Sequence, residues 1–187
     1  AAGNIVNDIY DIESDKISHP NRVLVLGKLN KTEVKLEYII LNFISAIISI
    51  NLSQTLFAIV FISALLLFIY PAYLKKIPLI GNIVIALLTG LAFIYGGFAS
   101  GNPVAAIVPA VFAFLINLIR EIVKDIQDIE GDTKAGVITF PIKFGFKKSK
   151  ILILIITISL ILYTLYPFIT ELYKIEYFII VMVFVNP

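Results

Sequence analysis

The sequence predicts an all-α membrane protein, a bundle of several transmembrane helices, and three features of its 187 residues indicate this fold class. Hydrophobic residues make up 59% of the chain, well above the roughly 45–50% apolar content of ordinary globular domains. Apolar runs of about 20 residues, the length that crosses a bilayer as a helix, recur along the chain. Basic residues are concentrated in alternate predicted loops. A soluble protein with a buried core is the alternative, and the composition argues against it.

The first four predicted helices cover residues 1–16, 34–52, 53–74 and 79–100. Residues 1–16 begin without a capping residue and are too few to cross a hydrocarbon layer of ~30 Å. The polar residues between Asn51 and Gln54 predict a tight turn that separates the second helix from the third. The second, third and fourth segments are each long and apolar enough to span a membrane.

The last three predicted helices cover residues 103–130, 149–166 and 175–187. Gly131 predicts the end of the fifth helix, because glycine favours the position just after a helix. Pro167 predicts the end of the sixth helix, because proline has no N–H to donate. The last segment is again too short to span. Since the first and last segments look like parts of longer helices, we expect a single transmembrane domain over residues 1–187 that is truncated at both ends.

The charge of the predicted loops alternates between the two sides of the bundle. The basic loop residues on one side are Lys16, Arg22, Lys28, Lys31, Lys35, Lys75, Lys76, Lys134, Lys143, Lys147, Lys148 and Lys150. The other side holds Lys174 and the short turns near Asn51 and Asn102. The positive-inside rule makes the first side cytoplasmic. We therefore expect an integral, multi-pass protein of the cell membrane.

An eight-residue motif occurs twice in the chain. The sequence DIYDIESD at residues 8–15 returns as DIQDIEGD at residues 125–132. Each copy has aspartates at i, i+3 and i+7, which share one side of a helix within an arc of about 60°. Like charges placed in this way repel each other unless a cation lies between them. Because an even number of predicted spans separates the copies, both lie on the cytoplasmic side, near helix ends.

The duplicated motif predicts a Mg²⁺ site. The chain has no cysteine and a single histidine, which excludes thiolate and multi-histidine metal sites. Oxygen ligands select Mg²⁺ or Mn²⁺, and proteins commonly hold Mg²⁺ through carboxylates together with substrate phosphates. The predicted ligands are Asn7, Asp8, Asp11, Asp15, Asp125, Asp128 and Asp132. Glu13 and Glu130 lie about 140° around the helix from the first aspartate of each copy, so we expect weaker roles for them.

Basic residues near the motifs predict that a diphosphate binds there. Arg120 and Lys124 lie in an otherwise apolar helix, where a charge is costly and usually functional. The further candidates on the same side are Lys16, Arg22, Lys75 and Lys76. Each of these loop residues alternatively serves as a topology determinant or a lipid-headgroup contact. A metal-bound diphosphate beside apolar helices implies an enzyme that acts on a lipid diphosphate. A channel or transporter, the alternative from another class, would be expected to hold its carboxylates at mid-membrane.

These motifs resemble those of the UbiA-type intramembrane prenyltransferases. The sequence NDIYDIESD at residues 7–15, followed by HPNR at 19–22, resembles the first aspartate-rich motif of that family. The sequence REIVKDIQDIEGD at 120–132 resembles the second motif, and YPAYLKK at 70–76 resembles the family's Tyr/Lys segment. The resemblance covers essentially the whole chain, in order. One departure is Val23, where many members have proline, and it concerns the local conformation of the loop.

The resemblance implies nine transmembrane helices around a central cavity, of which about seven are represented here. It implies Mg²⁺ as the cofactor, and it places the two motifs at cytoplasmic helix ends. The catalytic residues that it implies are Asp11, Asp128, Lys124 and Arg120. The substrate-binding residues that it implies are Arg22, Lys75, Lys76, Arg120, Lys124, Lys16, His19 and Tyr73.

Within the family, the sequence of the second motif most resembles that of enzymes of archaeal ether-lipid synthesis. That resemblance implies transfer of a geranylgeranyl group from its diphosphate to the hydroxyl of geranylgeranylglyceryl phosphate. Aromatic acceptors, of the quinone, haem or chlorophyll type, are the alternative, because motif spacing does not distinguish acceptors. We expect the loop with Lys16, His19 and Arg22 to hold the acceptor phosphate. The expected partners are a prenyl diphosphate donor, a lipid-phosphate acceptor and membrane lipids, with no nucleic acid, while the general base and oligomeric state stay open.

Overall fold

The computed structural model describes residues 2–185, and within that range the chain forms helices and no β-strand. In chain order the α-helices are α1 (Ala2–Tyr10), α2 (Ile12–Ser18), α3 (Lys31–Leu52), α4 (Gln54–Ile69), α5 (Ile80–Ala99), α6 (Ile107–Gln127), α7 (Ile129–Lys134), α8 (Phe140–Phe144), α9 (Phe146–Ile169) and α10 (Ile175–Ile180). A 3₁₀ turn at Leu74–Lys76 follows α4, and a π-helical turn at Val181–Val185 follows α10. The predicted all-α fold is confirmed. The predicted outer ends of the first and last helices, Ala1 and Pro187, lie outside the described residues.

Helices α5 and α6 form the centre of the described bundle, where they make its most extensive helix–helix contact. Ala86 of α5 packs with Ile122 of α6 in a buried cluster that also includes Ile156 of α9. Gly90 permits the close approach, because a Cβ there would lie 2.8 Å from the carbonyl oxygen of Ala110 on α6. Helices α3 and α4 pack against each other, and α1 contacts both of them. The first aspartate motif is thus joined to the bundle through α3 and α4.

The outer faces of the bundle are apolar. Among the described residues, the helices that are long and apolar enough to cross a membrane are Ile80–Ala99 (α5) and Phe146–Ile169 (α9), while α4 is apolar but shorter. Large apolar side chains such as Ile39, Phe43 and Leu162 are exposed on α3 and α9. Contiguous apolar surface of this extent is rare on soluble monomers. These faces are therefore suited to contact lipid or further helices.

Each aspartate motif contains a helix break at its middle aspartate. Asp11 (φ −88°, ψ 2°) separates α1 from α2, and Asp128 (φ −94°, ψ 7°) separates α6 from α7. The prediction of one uninterrupted helix through each motif is wrong. Aspartate is a weak helix former, and three like charges on one helical face repel each other, so both effects favour a break here. Because the break has the same conformation in both copies, the motifs share a local structure as well as a sequence.

Several other predicted helix boundaries differ from the structure. α3 begins earlier than predicted, because Asn30 forms a capping box at its start. α4 ends earlier, before Pro71, which has no N–H to continue the helix. α6 begins later than predicted, and α8 was not predicted. The prediction that Pro167 ends the sixth helix is wrong, because α9 continues to Ile169. Pro167 destabilises the helix only slightly, because it lies in the last turn and removes a single backbone hydrogen bond. Its ring is fully buried.

Replacement of Gly90 by alanine is expected to destabilise the protein. The added methyl group would lie 2.8 Å from the Ala110 carbonyl oxygen and force α5 away from α6, at a cost of about 1–3 kcal/mol. Gly96→Ala is the matched control on the same helix, because a Cβ there meets no described atom within 4 Å. Thermal unfolding in detergent measures both variants. Equal Tm values for the two variants would contradict the close packing of α5 on α6.

Candidate active site

The two aspartate motifs lie side by side. Helix α2, the second half of the first motif, packs against α7, the second half of the second motif. His19, which follows α2, places its Nε2 atom 3.3 Å from Asp128 Oδ1. The copies that the sequence assigned to one side of the bundle are therefore in direct contact.

Arg22 holds two carboxylates of the first motif. Its Nη1 donates to Asp8 Oδ1 at 2.8 Å and to Asp15 Oδ2 at 2.7 Å. The loop after α2 turns back to make this contact, and the Arg22 backbone N–H donates to the His19 carbonyl at 3.1 Å. Burial raises the pKa of Asp15, while the positive charge of Arg22 opposes that rise. The guanidinium thus compensates two negative charges that would otherwise repel each other.

Lys75 links the two motifs electrostatically. Its Nζ lies 2.6 Å from Asp11 Oδ1, and the two side chains are only 14% and 11% exposed. The 3₁₀ turn at Leu74–Lys76 positions this lysine after the end of α4. Asp132 of the second motif is also buried, and burial raises its pKa, while the charge of Lys75 opposes that rise. One ammonium group therefore balances carboxylates from both motifs.

Asp125 is held by a neutral amide. Asn82, in the first turn of α5, donates from Nδ2 to Asp125 Oδ2 at 2.9 Å. No sequence motif identified Asn82, although a polar amide at the start of an apolar helix was an available signal. Tyr70 and Glu121, which line the cavity described next, were not among the predicted site residues either.

A cavity of about 770 Å³ opens beside the first motif. Asp8, Arg22 and Lys124 contribute to its charged part. The apolar part of its wall contains Ile5, Leu24, Leu67, Ile85 and Leu88. The cavity therefore combines charged and apolar lining residues, as a ligand with an anionic group and an apolar chain requires.

A smaller cavity, of about 520 Å³, lies at the junction of α1 and α2. Asp11 and Lys75 line it, together with Tyr73 and Lys76. The Asp11–Lys75 ion pair is thus accessible from this second cavity.

Comparison with known proteins shows which family has this arrangement. The model of the UbiA prenyltransferase family matches residues 1–186. The chain belongs to the UbiA prenyltransferase family. Its relatives include digeranylgeranylglyceryl phosphate synthases from Methanocaldococcus jannaschii, 39% identical over 187 residues, and from Methanosphaera stadtmanae, 36% identical over 182 residues. These matches cover 98% and 97% of this chain, and 64% and 67% of the respective relatives.

Solved structures of UbiA proteins have the same fold. A structure of digeranylgeranylglyceryl phosphate synthase matches with a TM-score of 0.76 at 37% identity, over 97% of this chain and 65% of that chain. A UbiA homologue from Archaeoglobus fulgidus, bound to GPP and Mg²⁺, matches with a TM-score of 0.77 at 23% identity, over 96% of this chain and 65% of that chain. The chain thus spans about two thirds of the length of these relatives. Its expected nature as an integral membrane protein is confirmed.

The donor atoms of this UbiA-family site suit a hard cation such as Mg²⁺. They are carboxylate and amide oxygens, which are the ligands that Mg²⁺ prefers. Asn7 Oδ1 is buried and has no hydrogen-bond partner among the described residues, so it is available to a cation. Within residues 2–185, no three His, Asp or Glu side chains are grouped closely enough to hold a metal on their own. Substrate phosphate oxygens would therefore have to complete the coordination.

Arg120 and Lys124 both line the larger cavity. Arg120 is 68% exposed and pairs with the buried Glu121 at 2.7 Å. Lys16 and His19 differ from the other predicted phosphate-binding residues, because they line neither of the two cavities. Lys16 Nζ lies 2.8 Å from the exposed Glu13, and His19 Nε2 lies 3.3 Å from Asp128 Oδ1.

Glu13 and Glu130 do not line the larger cavity. Their side chains are 75% and 76% exposed, and each pairs with a nearby lysine on its own helix. The exposed side chains of Tyr73 and Lys76 lie at the smaller cavity rather than at the larger one. The structure therefore separates the predicted residues that line the larger cavity from Glu13 and Glu130, whose side chains are mainly exposed.

Proposed function

We propose that this chain forms the active-site portion of an intramembrane prenyltransferase of archaeal membrane ether-lipid synthesis. In the proposed reaction, the bond between a geranylgeranyl carbon and its diphosphate breaks, and that carbon forms an ether with the hydroxyl oxygen of geranylgeranylglyceryl phosphate. The hydroxyl proton passes to the departing diphosphate or to a motif carboxylate. The observation that carries the proposal is the cavity of about 770 Å³, which is lined by carboxylates, cations and apolar side chains together. The synthases of M. jannaschii and M. stadtmanae support the choice of acceptor.

Mg²⁺ is the proposed cofactor. The carboxylates of both motifs, together with Asn7 Oδ1, are the proposed protein ligands. When bound, Mg²⁺ would neutralise the negative charge that develops on the departing diphosphate. The A. fulgidus homologue, which has the same fold and has been solved with GPP and Mg²⁺ and with DMAPP and Mg²⁺, supports this assignment.

Arg22 and Lys75 are proposed to recognise the diphosphate. In the described structure each cation balances motif carboxylates. Once a metal ion neutralises those carboxylates, the same guanidinium and ammonium groups become available to phosphate oxygens. Lys124 and Arg120 would contact the same group from α6, because both line the larger cavity.

The apolar part of the cavity has a proposed protective role. It would exclude water from the electron-poor allylic carbon until the acceptor hydroxyl arrives. The proposed orientation is multi-pass in the cell membrane, with both motifs toward the cytoplasm, because the basic loop residues lie on that side. The proposed domain is one transmembrane unit over residues 1–187.

Asp11→Ala and Asp128→Ala are each expected to abolish prenyl transfer, because both remove a carboxylate from the centre of the site. Glu13→Ala and Glu130→Ala are matched controls, since they remove the same charge from exposed positions in the same motifs. Mg²⁺-dependent release of diphosphate from geranylgeranyl diphosphate measures the activity, and thermal unfolding verifies the fold. Full activity in both aspartate variants would contradict the metal assignment.

Lys124→Ala and Arg120→Ala are expected to change the kinetics for the prenyl donor. Loss of either cation should raise KM or lower kcat by about tenfold or more, which corresponds to about 1.4 kcal/mol or more. Lys134→Ala is the control, because that lysine is exposed and pairs with Glu130. Steady-state kinetics with varied geranylgeranyl diphosphate measure the effect. Donor kinetics that are unchanged in both cavity variants would refute their role in phosphate binding.

A product assay with a panel of acceptors tests the proposed function. Geranylgeranylglyceryl phosphate is expected to be prenylated in preference to 4-hydroxybenzoate. The reverse preference would overturn the acceptor assignment while leaving the metal site intact.

Since Arg22 contacts Asp8 and Asp15 and lines the larger cavity, Arg22→Ala should raise KM for the donor as well as for the acceptor. A rise in KM for the acceptor alone would instead favour the acceptor-phosphate role expected from the sequence.

A further inference from the structure

Asn82 lies outside both aspartate motifs but contacts the second one. Its side chain is 6% exposed, and Nδ2 donates to Asp125 Oδ2 at 2.9 Å across the α5–α6 contact. The amide differs in kind from Arg22 and Lys75, which hold the aspartates of the first motif as cations. A neutral donor orients a carboxylate without cancelling its charge. Asn82 can therefore orient Asp125 without placing a positive charge where a cation would bind.

An unusual turn positions Asn82. Leu79, just before α5, has a positive φ of 70°, a conformation that non-glycine residues rarely adopt. Such a residue costs about 1–3 kcal/mol and persists only where the surrounding structure holds it. Leu79 is held because its side chain packs against the buried cluster that includes Ile122 of α6. The same packing that imposes this turn sets the start of α5, and so the position of Asn82 three residues later.

The neighbouring Gly81 joins this turn to the first motif. A Cβ on Gly81 would lie 3.1 Å from both the Leu74 carbonyl oxygen and Lys75 Cα. The first turn of α5 therefore lies directly against the segment whose lysine pairs with Asp11. Gly81 thus lies against the segment that supports the first motif, while the adjacent Asn82 contacts Asp125 of the second motif itself.

We propose that Asn82 is a positioning residue that orients the Asp125 carboxylate toward Mg²⁺ and the substrate diphosphate. This inference rests on the proposed function, since it assigns Asp125 as a ligand. By holding Oδ2, the amide leaves Oδ1 of Asp125 as the oxygen directed to the metal. Partners that orient metal ligands in this way typically change metal affinity by about 10–100-fold when they are removed.

The test is isothermal titration calorimetry of the complete protein in detergent, with geranylgeranyl thiolodiphosphate as an unreactive probe and MgCl₂ varied. Asn82→Leu removes the donor but preserves side-chain volume, and Asn82→Ala removes both. Both variants are expected to raise the Mg²⁺ concentration for half-maximal probe binding by about tenfold or more. Asn42→Leu is the control, because that amide donates to the Tyr38 carbonyl of its own helix at 2.8 Å.

The outcomes separate this inference from the proposed function. Wild-type Mg²⁺ dependence in both Asn82 variants, with Mg²⁺-dependent binding in the wild type, would overturn the positioning role alone. Probe binding that does not depend on Mg²⁺ in the wild type would overturn the proposed function, and this inference with it. A general packing defect would instead lower Tm in EDTA, and the size of that loss would differ between Asn82→Leu and Asn82→Ala. Equal shifts in Mg²⁺ dependence, with Tm in EDTA preserved in Asn82→Leu, would support the hydrogen bond as the cause.

Discussion

Asp11, Asp15 and Asp132, from the two aspartate motifs, are all buried, and an unpaired buried carboxylate would be strongly destabilising. The rest of the site is arranged around their compensation. Arg22 returns from the loop after α2 to bridge Asp8 and Asp15, and Lys75 reaches Asp11 from the segment after α4. Elements far apart in sequence are thereby held together. In a protein that binds a divalent cation, the same carboxylates are also the natural site for that ion.

The scaffold that makes this compensation of carboxylate charge possible is the closely packed pair of helices α5 and α6. Their contact at Gly90 and Ala110 brings the start of α5 beside the end of α6. Asn82 and Asp125 meet at that end of the pair. The strained turn at Leu79 is supported by the same packing. The geometry of the polar site thus depends on apolar contacts that lie deeper in the bundle.

The larger cavity is lined by both charged and apolar side chains. Every carboxylate of the first motif has a cationic partner among the described residues, and buried carboxylates need such partners in an apolar environment.

Much of this protein follows from the sequence by itself. Apolar runs and loop charges predicted an all-α membrane protein, and the repeated aspartates predicted two facing acidic motifs, because both signals are local and periodic. The breaks at Asp11 and Asp128, the pairing of Arg22 with the first motif, and the contact of Asn82 with Asp125 were decided by the tertiary structure. Each of these depends on which charges and helices meet in space, and sequence periodicity describes one helix at a time.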